Sequence, residues 1–313
     1  MVSAAQACIS CGAMNHKLHF EAFGYAILEC GTCGLAFTDT TVQPETSAHF
    51  YQSEYYARAT AYAESLRQNT GTIDRHHQER IRTVSRLARR KDGYVLDVGC
   101  AAGSLLAAFK RAGWHCFGIE PAREMAALAR ISAGCEILES TLETSGLPRK
   151  HFDVVAAVHV LEHSPDPRRF LDCCFRLLKE QGVLLLEVPD FGSRRARAQG
   201  NSWLPLYPDT HFYHFTAKSL SELLEKRGFR VARVRRYGGL GAISAAPAGG
   251  IVSAGRPDYS PRRAGRFARL ERCLFQNRDA LRRLPFLMQL LRHVYWQTLK
   301  MNESLRVYAI RAL

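Results

Sequence analysis

Residues 94–120 read YVLDVGCAAGSLLAAFKRAGWHCFGIE, a strand, a glycine turn, a helix and a second strand ending on an acid. Val95, Leu96 and Val98 form a short apolar run, Gly99 and Gly103 bracket a tight turn, and Leu105, Leu106 and Phe109 recur at helical spacing. Gly113 closes the helix, and the run Cys116 to Ile119 carries Glu120 to the carboxyl end of its strand. Open α/β sheets bind their ligands at that end, so this order predicts a nucleotide pocket.

The turn narrows the nucleotide. A dinucleotide fingerprint anchored at Gly99 requires glycine at 101 and 104, because a pyrophosphate must approach the backbone and the helix must pack close. Ala101 and Ser104 stand there instead. A ligand without phosphates tolerates this more easily, and Glu120 can accept both hydroxyls of a ribose.

Later segments extend the pattern. Phe152–Val158 (FDVVAAV) reads as a buried strand, His159–His163 (HVLEH) as the turn after it, and Gly182–Val188 (GVLLLEV) as another buried strand. From Ile73 to Tyr237 the chain resembles the class I S-adenosylmethionine-dependent methyltransferases, with Asp97–Gly103 (DVGCAAG) as the first motif and Glu120 as the ribose acid. The resemblance implies a doubly wound, mostly parallel, Rossmann-like α/β sheet of seven strands, the last at Ser304–Ile310, and S-adenosylmethionine as cofactor. It carries Asp97, Gly99, Cys100, Ala101, Gly103, Glu120, Pro121, Thr141, Leu142 and His159 over as cofactor-binding positions. Ala101 departs from the glycine of many relatives and should narrow the pocket slightly.

Ahead of this region, Cys8-Ile-Ser-Cys11-Gly12 and Cys30-Gly-Thr-Cys33-Gly34 form two CxxCG units separated by strand-like sequence. Each loop aims two sulfurs at one point, and two loops complete a closed tetrahedral shell, so Cys8, Cys11, Cys30 and Cys33 are expected to hold a structural zinc. Some forty residues bury too little apolar surface to fold alone, which metal binding offsets. A redox role for either pair lacks the βαβ context it needs. His16 and His19, between the units, are the alternative ligands, and the other six of the ten cysteines read as core or surface thiols.

The 313 residues carry 43 Lys and Arg against 29 Asp and Glu, a net charge of +14. The excess concentrates in Arg194 to Arg197, Arg227 to Arg236 and Arg262 to Arg292, which suits a phosphate-bearing partner, an anionic membrane surface or a solvated face. No apolar run approaches the roughly 18–20 residues of a bilayer span. Met1 to Ser10 lacks a basic start and a long apolar stretch, giving the expectation of a cytoplasmic protein, peripheral at most to the inner face of a membrane.

The expected organisation is a zinc ribbon over 1–40, a helical connector and cofactor cover over 41–92, and the methyltransferase domain over 93–313 with a basic helical insertion at about 238–300. Tyr55 and Tyr56 in the connector are read as packing anchors or contacts to the cofactor. Methyl transfer needs mainly in-line positioning, and an alcohol acceptor also needs a base. His163, His211 and His214 are the candidates, with Asp190, Trp203 and Tyr207 as substrate-loop residues. The leading expectation is O-methylation of a small-molecule or glycan acceptor. An RNA methyltransferase and a non-catalytic, cofactor-binding interaction module are the alternatives.

Overall fold

The computed structural model describes residues 6–41, 70–237 and 303–312. The connector with Tyr55 and Tyr56, up to residue 69, and the insertion at 238–300 lie outside the described residues. Three strands open the chain: β1 (His16–Ala22), β2 (Tyr25–Cys30) and β3 (Ala36–Thr38). Helix α1 (Thr70–Leu87) leads into β4 (Gly93–Val98), α2 (Ser104–Arg111), β5 (Trp114–Ile119), α3 (Arg123–Ala133) and β6 (Glu136–Leu138). Then follow β7 (Phe152–Val158), α4 (Pro167–Leu177), β8 (Leu178–Pro189), α5 (Arg194–Gln199), β9 (Tyr213–His214), α6 (Ala217–Lys226), β10 (Phe229–Tyr237) and β11 (Ser304–Arg311).

Seven strands form one sheet in the order β10-β11-β8-β7-β4-β5-β6. Strands β8, β7, β4, β5 and β6 are parallel, and β11 runs antiparallel to both its neighbours. The central strands are covered on both faces, so Val154 to Ala157 and Val183 to Leu186 read as unbroken apolar runs. The order reverses beside β4, which opens a crevice at the carboxyl ends of β4 and β7. This is the expected doubly wound architecture.

Local chemistry moves some boundaries. Helix α3 starts only at Arg123, because the Glu120 carboxylate takes the amide of Ala122 at 2.9 Å and holds Pro121 and Ala122 in a turn. Thr216 caps α6, its hydroxyl accepting from the Ser219 amide while the Ser219 hydroxyl accepts from the Thr216 amide.

The N-terminal strands do not stand apart. They form a second sheet, β1-β2-β3-β9, whose last strand comes from residues 213–214. Strand β3 pairs antiparallel with β9, Ala36 opposite His214 and Phe37 opposite Tyr213. Cys8, Cys30, Cys33, Leu35 and Phe37 share one core cluster with Val98, Leu161, Phe215 and Leu220. Ser10 Oγ also donates to the Ser219 carbonyl at 2.8 Å, which ties the first cysteine loop to α6.

Candidate functional site

The glycine turn folds back onto the end of β5. The amides of Gly99 and Cys100 both donate to the Ile119 carbonyl, at 2.8 and 3.1 Å. Gly99 has φ +67°, and a Cβ there would meet Val160 Cγ2 at 2.6 Å, so no side chain fits. Ala101 adopts φ +47°, a left-handed conformation that costs a non-glycine residue roughly 1 kcal/mol. What holds it is Glu120, whose Oε2 accepts the Ala101 amide at 3.0 Å.

Glu120 is 2% exposed, and its two oxygens take one backbone amide each, from Ala101 and Ala122. A carboxylate offers about four lone-pair directions, so the same oxygens retain acceptor capacity for a ribose. Burial raises its pKa, against the pull of the two amides. Asp97, at the end of β4, is pushed up to about 8 by burial, with Arg80 opposing and Glu120 and Glu187 adding to the rise. A cationic ligand in the crevice would restore its charge. Cys100 and Leu142 are buried and Pro121 is exposed; exposed Thr141 has its hydroxyl 2.9 Å from that of Thr144.

Across the crevice, β7 ends in a turn that carries His159, Glu162 and His163. His159 has φ +57°, and its amide donates to the Glu187 carbonyl at 2.8 Å. Its Nδ1 lies 3.2 Å from Glu162 Oε1. Burial works against its charge, yet the bond to Glu162 and that carboxylate's field prevail and raise its pKa.

His163 and His211 come together, their ring centroids 4.5 Å apart at 79°. His163 Nδ1 lies 2.9 Å from the Thr210 carbonyl, and His211 Nδ1 lies 2.9 Å from the Pro205 carbonyl. A carbonyl only accepts, so each Nδ1 carries the proton and each neutral ring keeps its lone pair on Nε2. Burial lowers the pKa of both, which keeps them in the basic form near neutrality. Tyr207 turns the chain toward them at φ +34°, with its ring 5.4 Å from that of His211.

His214 does not join the pair. Thr38 spends its hydroxyl proton on the His211 carbonyl at 2.9 Å, so His214 Nε2, 3.0 Å from Thr38 Oγ1, must donate to that hydroxyl oxygen. The residue expected as a base is a fixture of the second sheet, because alternation along β9 turns it toward the N-terminal strands. Burial drives its pKa down to about 3. Between the ordinary histidine value of 6.5 and about 3, the unfolded chain binds a proton that the folded chain refuses. Stability contributed by neutral His214 is therefore full above that window and falls as pH drops through it, by on the order of 4–5 kcal/mol in all. His214→Gln, which keeps a donor for Thr38, is expected to flatten this acid limb. Denaturant melts between pH 7 and 4 check it, and parallel slopes for the two proteins would reject the assignment.

The remaining substrate-loop candidates divide. Asp190 is fully buried and bound to Arg236 at 2.8 Å, and Trp203 packs with Ala22, Ile27 and Ala36. Only Tyr207 borders the imidazoles. Among the described residues, Arg195 pairs with Glu303, Arg227 with Asp172, Arg235 with Glu79, and Arg197 donates to the Gly192 carbonyl.

One group behind the crevice has no counterpart among the expected site residues. Glu187 on β8, in the middle of an apolar run, accepts two bonds from Arg80 of α1, both 2.6 Å, and further bonds from Arg306 of β11 and Tyr237 of β10. Burial opposes its charge, but Arg80 and then Arg306 outweigh it and hold the carboxyl below the usual range. A lone acid within GVLLLEV was the available signal, since such a residue is tolerated in a core only when paired.

At the other end, the four N-terminal sulfurs all lie within 4.8 Å of one another. Cys8 and Cys33 are 3.5 Å apart, and Cys11 and Cys30 are 3.4 Å apart. Tetrahedral zinc with bonds of roughly 2.3 Å spaces its sulfurs about 3.8 Å apart, so the donor set fits. The Cys8 thiol is pulled below its usual range by the bond with Cys33 first, and then by the amides of Cys11 and Ser10. His16 is turned away, its Nε2 2.8 Å from the Gln6 carbonyl, and His19 pairs with Glu29.

Comparison with known proteins bears on the same region. Residues 73–234 match the family described as "Methyltransferase domain". The ubiquinone biosynthesis O-methyltransferase of Psychrobacter arcticus is 38% identical over 102 residues, 30% of this chain and 40% of that protein. The enzyme of the same name from Xylella fastidiosa strain 9a5c is 34% identical over 118 residues, 35% of this chain and 47% of that protein. The chain thus spans less than half the length of these curated relatives. Magnesium protoporphyrin IX methyltransferase from Synechocystis PCC 6803, solved with bound SAH, superposes with a TM-score of 0.52 at 14% identity, covering 84% of this chain and 97% of that one. That likeness is one of fold.

Proposed function

The chain belongs to the methyltransferase-domain family and has the class I fold, and on that premise we propose that it transfers a methyl group from S-adenosylmethionine to a hydroxyl of a small-molecule or glycan acceptor. When bound, this cofactor supplies a methyl group on a sulfonium leaving group. The chain's own residues bind it, orient the acceptor and take a proton. Glu120 and the backbone at Gly99 to Gly103 would hold the ribose and methionine portions, and Asp97 favours a cationic ligand.

The observation that carries the choice of oxygen is the His163 and His211 pair. Both imidazoles are neutral and face each other beside the carboxyl end of β7, with their Nδ1 protons committed to carbonyls. Either Nε2 can accept a hydroxyl proton, which an alcohol or phenol needs and an amine does not. The name of the curated relatives, O-methyltransferases of ubiquinone biosynthesis, supports oxygen as the acceptor atom. The four-cysteine ribbon is assigned a structural zinc, on the spacing of its sulfurs.

Methyl transfer from labelled S-adenosylmethionine to a panel of sugar and phenolic acceptors tests the reading. Label appearing on RNA and on no hydroxyl compound would overturn it. Glu120→Ala removes a charged partner from two ribose hydroxyls worth roughly 1.5–3 kcal/mol each. Cofactor affinity by calorimetry is expected to fall about 10²- to 10⁴-fold. Unchanged affinity would refute the ribose assignment.

A further inference from the structure

The turn after β7 and the loop before β9 bring together a donor set that general-base catalysis does not use in full. Glu162, His163 and His211 each present one ligating atom, and the three atoms lie within 4.8 Å of one another. Glu162 is 1% exposed, and its Oε1 faces His159 while its Oε2 has no hydrogen-bond partner among the described residues. A carboxylate oxygen buried without a donor is costly unless a cation meets it.

The two imidazoles are prepared in the way that metal-ligating histidines are. Their Nδ1 protons are fixed on the Thr210 and Pro205 carbonyls, which sets the tautomer and the ring orientation. That outer set of bonds leaves Nε2 as the ligand atom and raises its basicity. The Thr210 and Pro205 carbonyls belong to the loop that carries His211, so one loop orients both rings.

We infer that Glu162, His163 and His211 form a metal site, separate from the four cysteines, that takes one divalent first-row cation. Two nitrogens and one carboxylate suit zinc, cobalt(II), manganese or iron(II) and leave positions open for an oxygen ligand, whereas four thiolates close their shell. Bonds of about 2.0–2.1 Å require donors roughly 3.3 Å apart, a spacing inside the 4.8 Å limit within which all three atoms lie. With the ion bound both Nε2 lone pairs are taken, so the cation replaces the imidazoles as the activating group: it would hold the acceptor oxygen and lower its pKa, the proton leaving to solvent. That role rests on the methyl-transfer reading; binding of the ion does not.

Cobalt(II) is the probe. The full chain is stripped with a chelator and titrated with cobalt while metal content and absorbance are followed. The wild type is expected to take two ions per chain, one with intense thiolate charge-transfer bands and one with only the weak bands of a nitrogen and oxygen set. Glu162→Gln, close in shape, is expected to take one and keep the thiolate bands. Wild type saturating at one ion with full thiolate bands overturns the site, and so does a Glu162→Gln protein that still takes two. Should the variant not fold, ring-nitrogen resonances of the wild type decide. A second equivalent of zinc that leaves His163 and His211 unmoved overturns the site, and selective shifts of their Nε2 signals support it. All these readouts are independent of turnover, so a failed methyl-transfer assay and a failed metal site are told apart.

Discussion

Glu187→Ala is expected to destabilise the protein by about 3–5 kcal/mol, because it leaves buried Arg80 without its carboxylate and Arg306 with Glu79 alone. Arg80 and Arg306 are 2% and 1% exposed, and both bond Glu187 directly. Against a total of roughly 5–15 kcal/mol for a typical domain, that loss is a large fraction. The network joins α1, β8, β10 and β11, so the damage should loosen the sheet edge and the helix together. Urea unfolding checks it through a lower midpoint at unchanged slope. Replacing Arg80, Glu187 and Arg306 together by apolar residues of similar size should recover much of the loss, since the penalty comes from orphaned charge. A shift below about 1 kcal/mol in Glu187→Ala would mean that water reaches the two arginines.

Removing the metal assigned to Cys8, Cys11, Cys30 and Cys33 is expected to have the larger effect. Zinc in small cysteine-rich folds supplies an apparent folding free energy of roughly 10–16 kcal/mol, more than so short a segment recovers by burial. The consequence should spread beyond the ribbon. The Thr38 amide donates to the Phe212 carbonyl at 3.0 Å, and the Phe212 amide donates to the Glu162 carbonyl at 2.9 Å. The N-terminal strands thereby brace the wall that carries Glu162, His163 and His211. Cys33→Ser, which leaves the Glu162, His163 and His211 set intact, should abolish amide protection over residues 16–38 and weaken it over 211–215. Acceptor turnover should fall with it, while cofactor affinity at Glu120 changes little. Full turnover with a protected ribbon in Cys33→Ser would sink the assignment.

Much of the crevice was legible because its parts are local. Asp97, the glycine turn and Glu120 lie on consecutive elements, and strand, helix and strand each announce themselves by their own period. Glu187 was legible only as an anomaly. A single acid in an apolar strand signals a buried partner without naming it, and Arg80 and Arg306 are separated from it in sequence by 107 and 119 positions. The boundary at Arg123 was not legible, because it depends on which donor the Glu120 side chain takes.

The sequence by itself determined the doubly wound sheet, the crevice at the end of β4 and the pairing of the two cysteine loops, since each follows from short-range spacing and backbone sterics. The tertiary structure alone decided the fate of the histidines. His211 and His214 are three residues apart and chemically alike, yet one faces His163 and the other donates to Thr38 across 176 positions of sequence. A two-residue strand pairing with β3 makes that division, and such pairing is set by the register of a distant partner rather than by anything local.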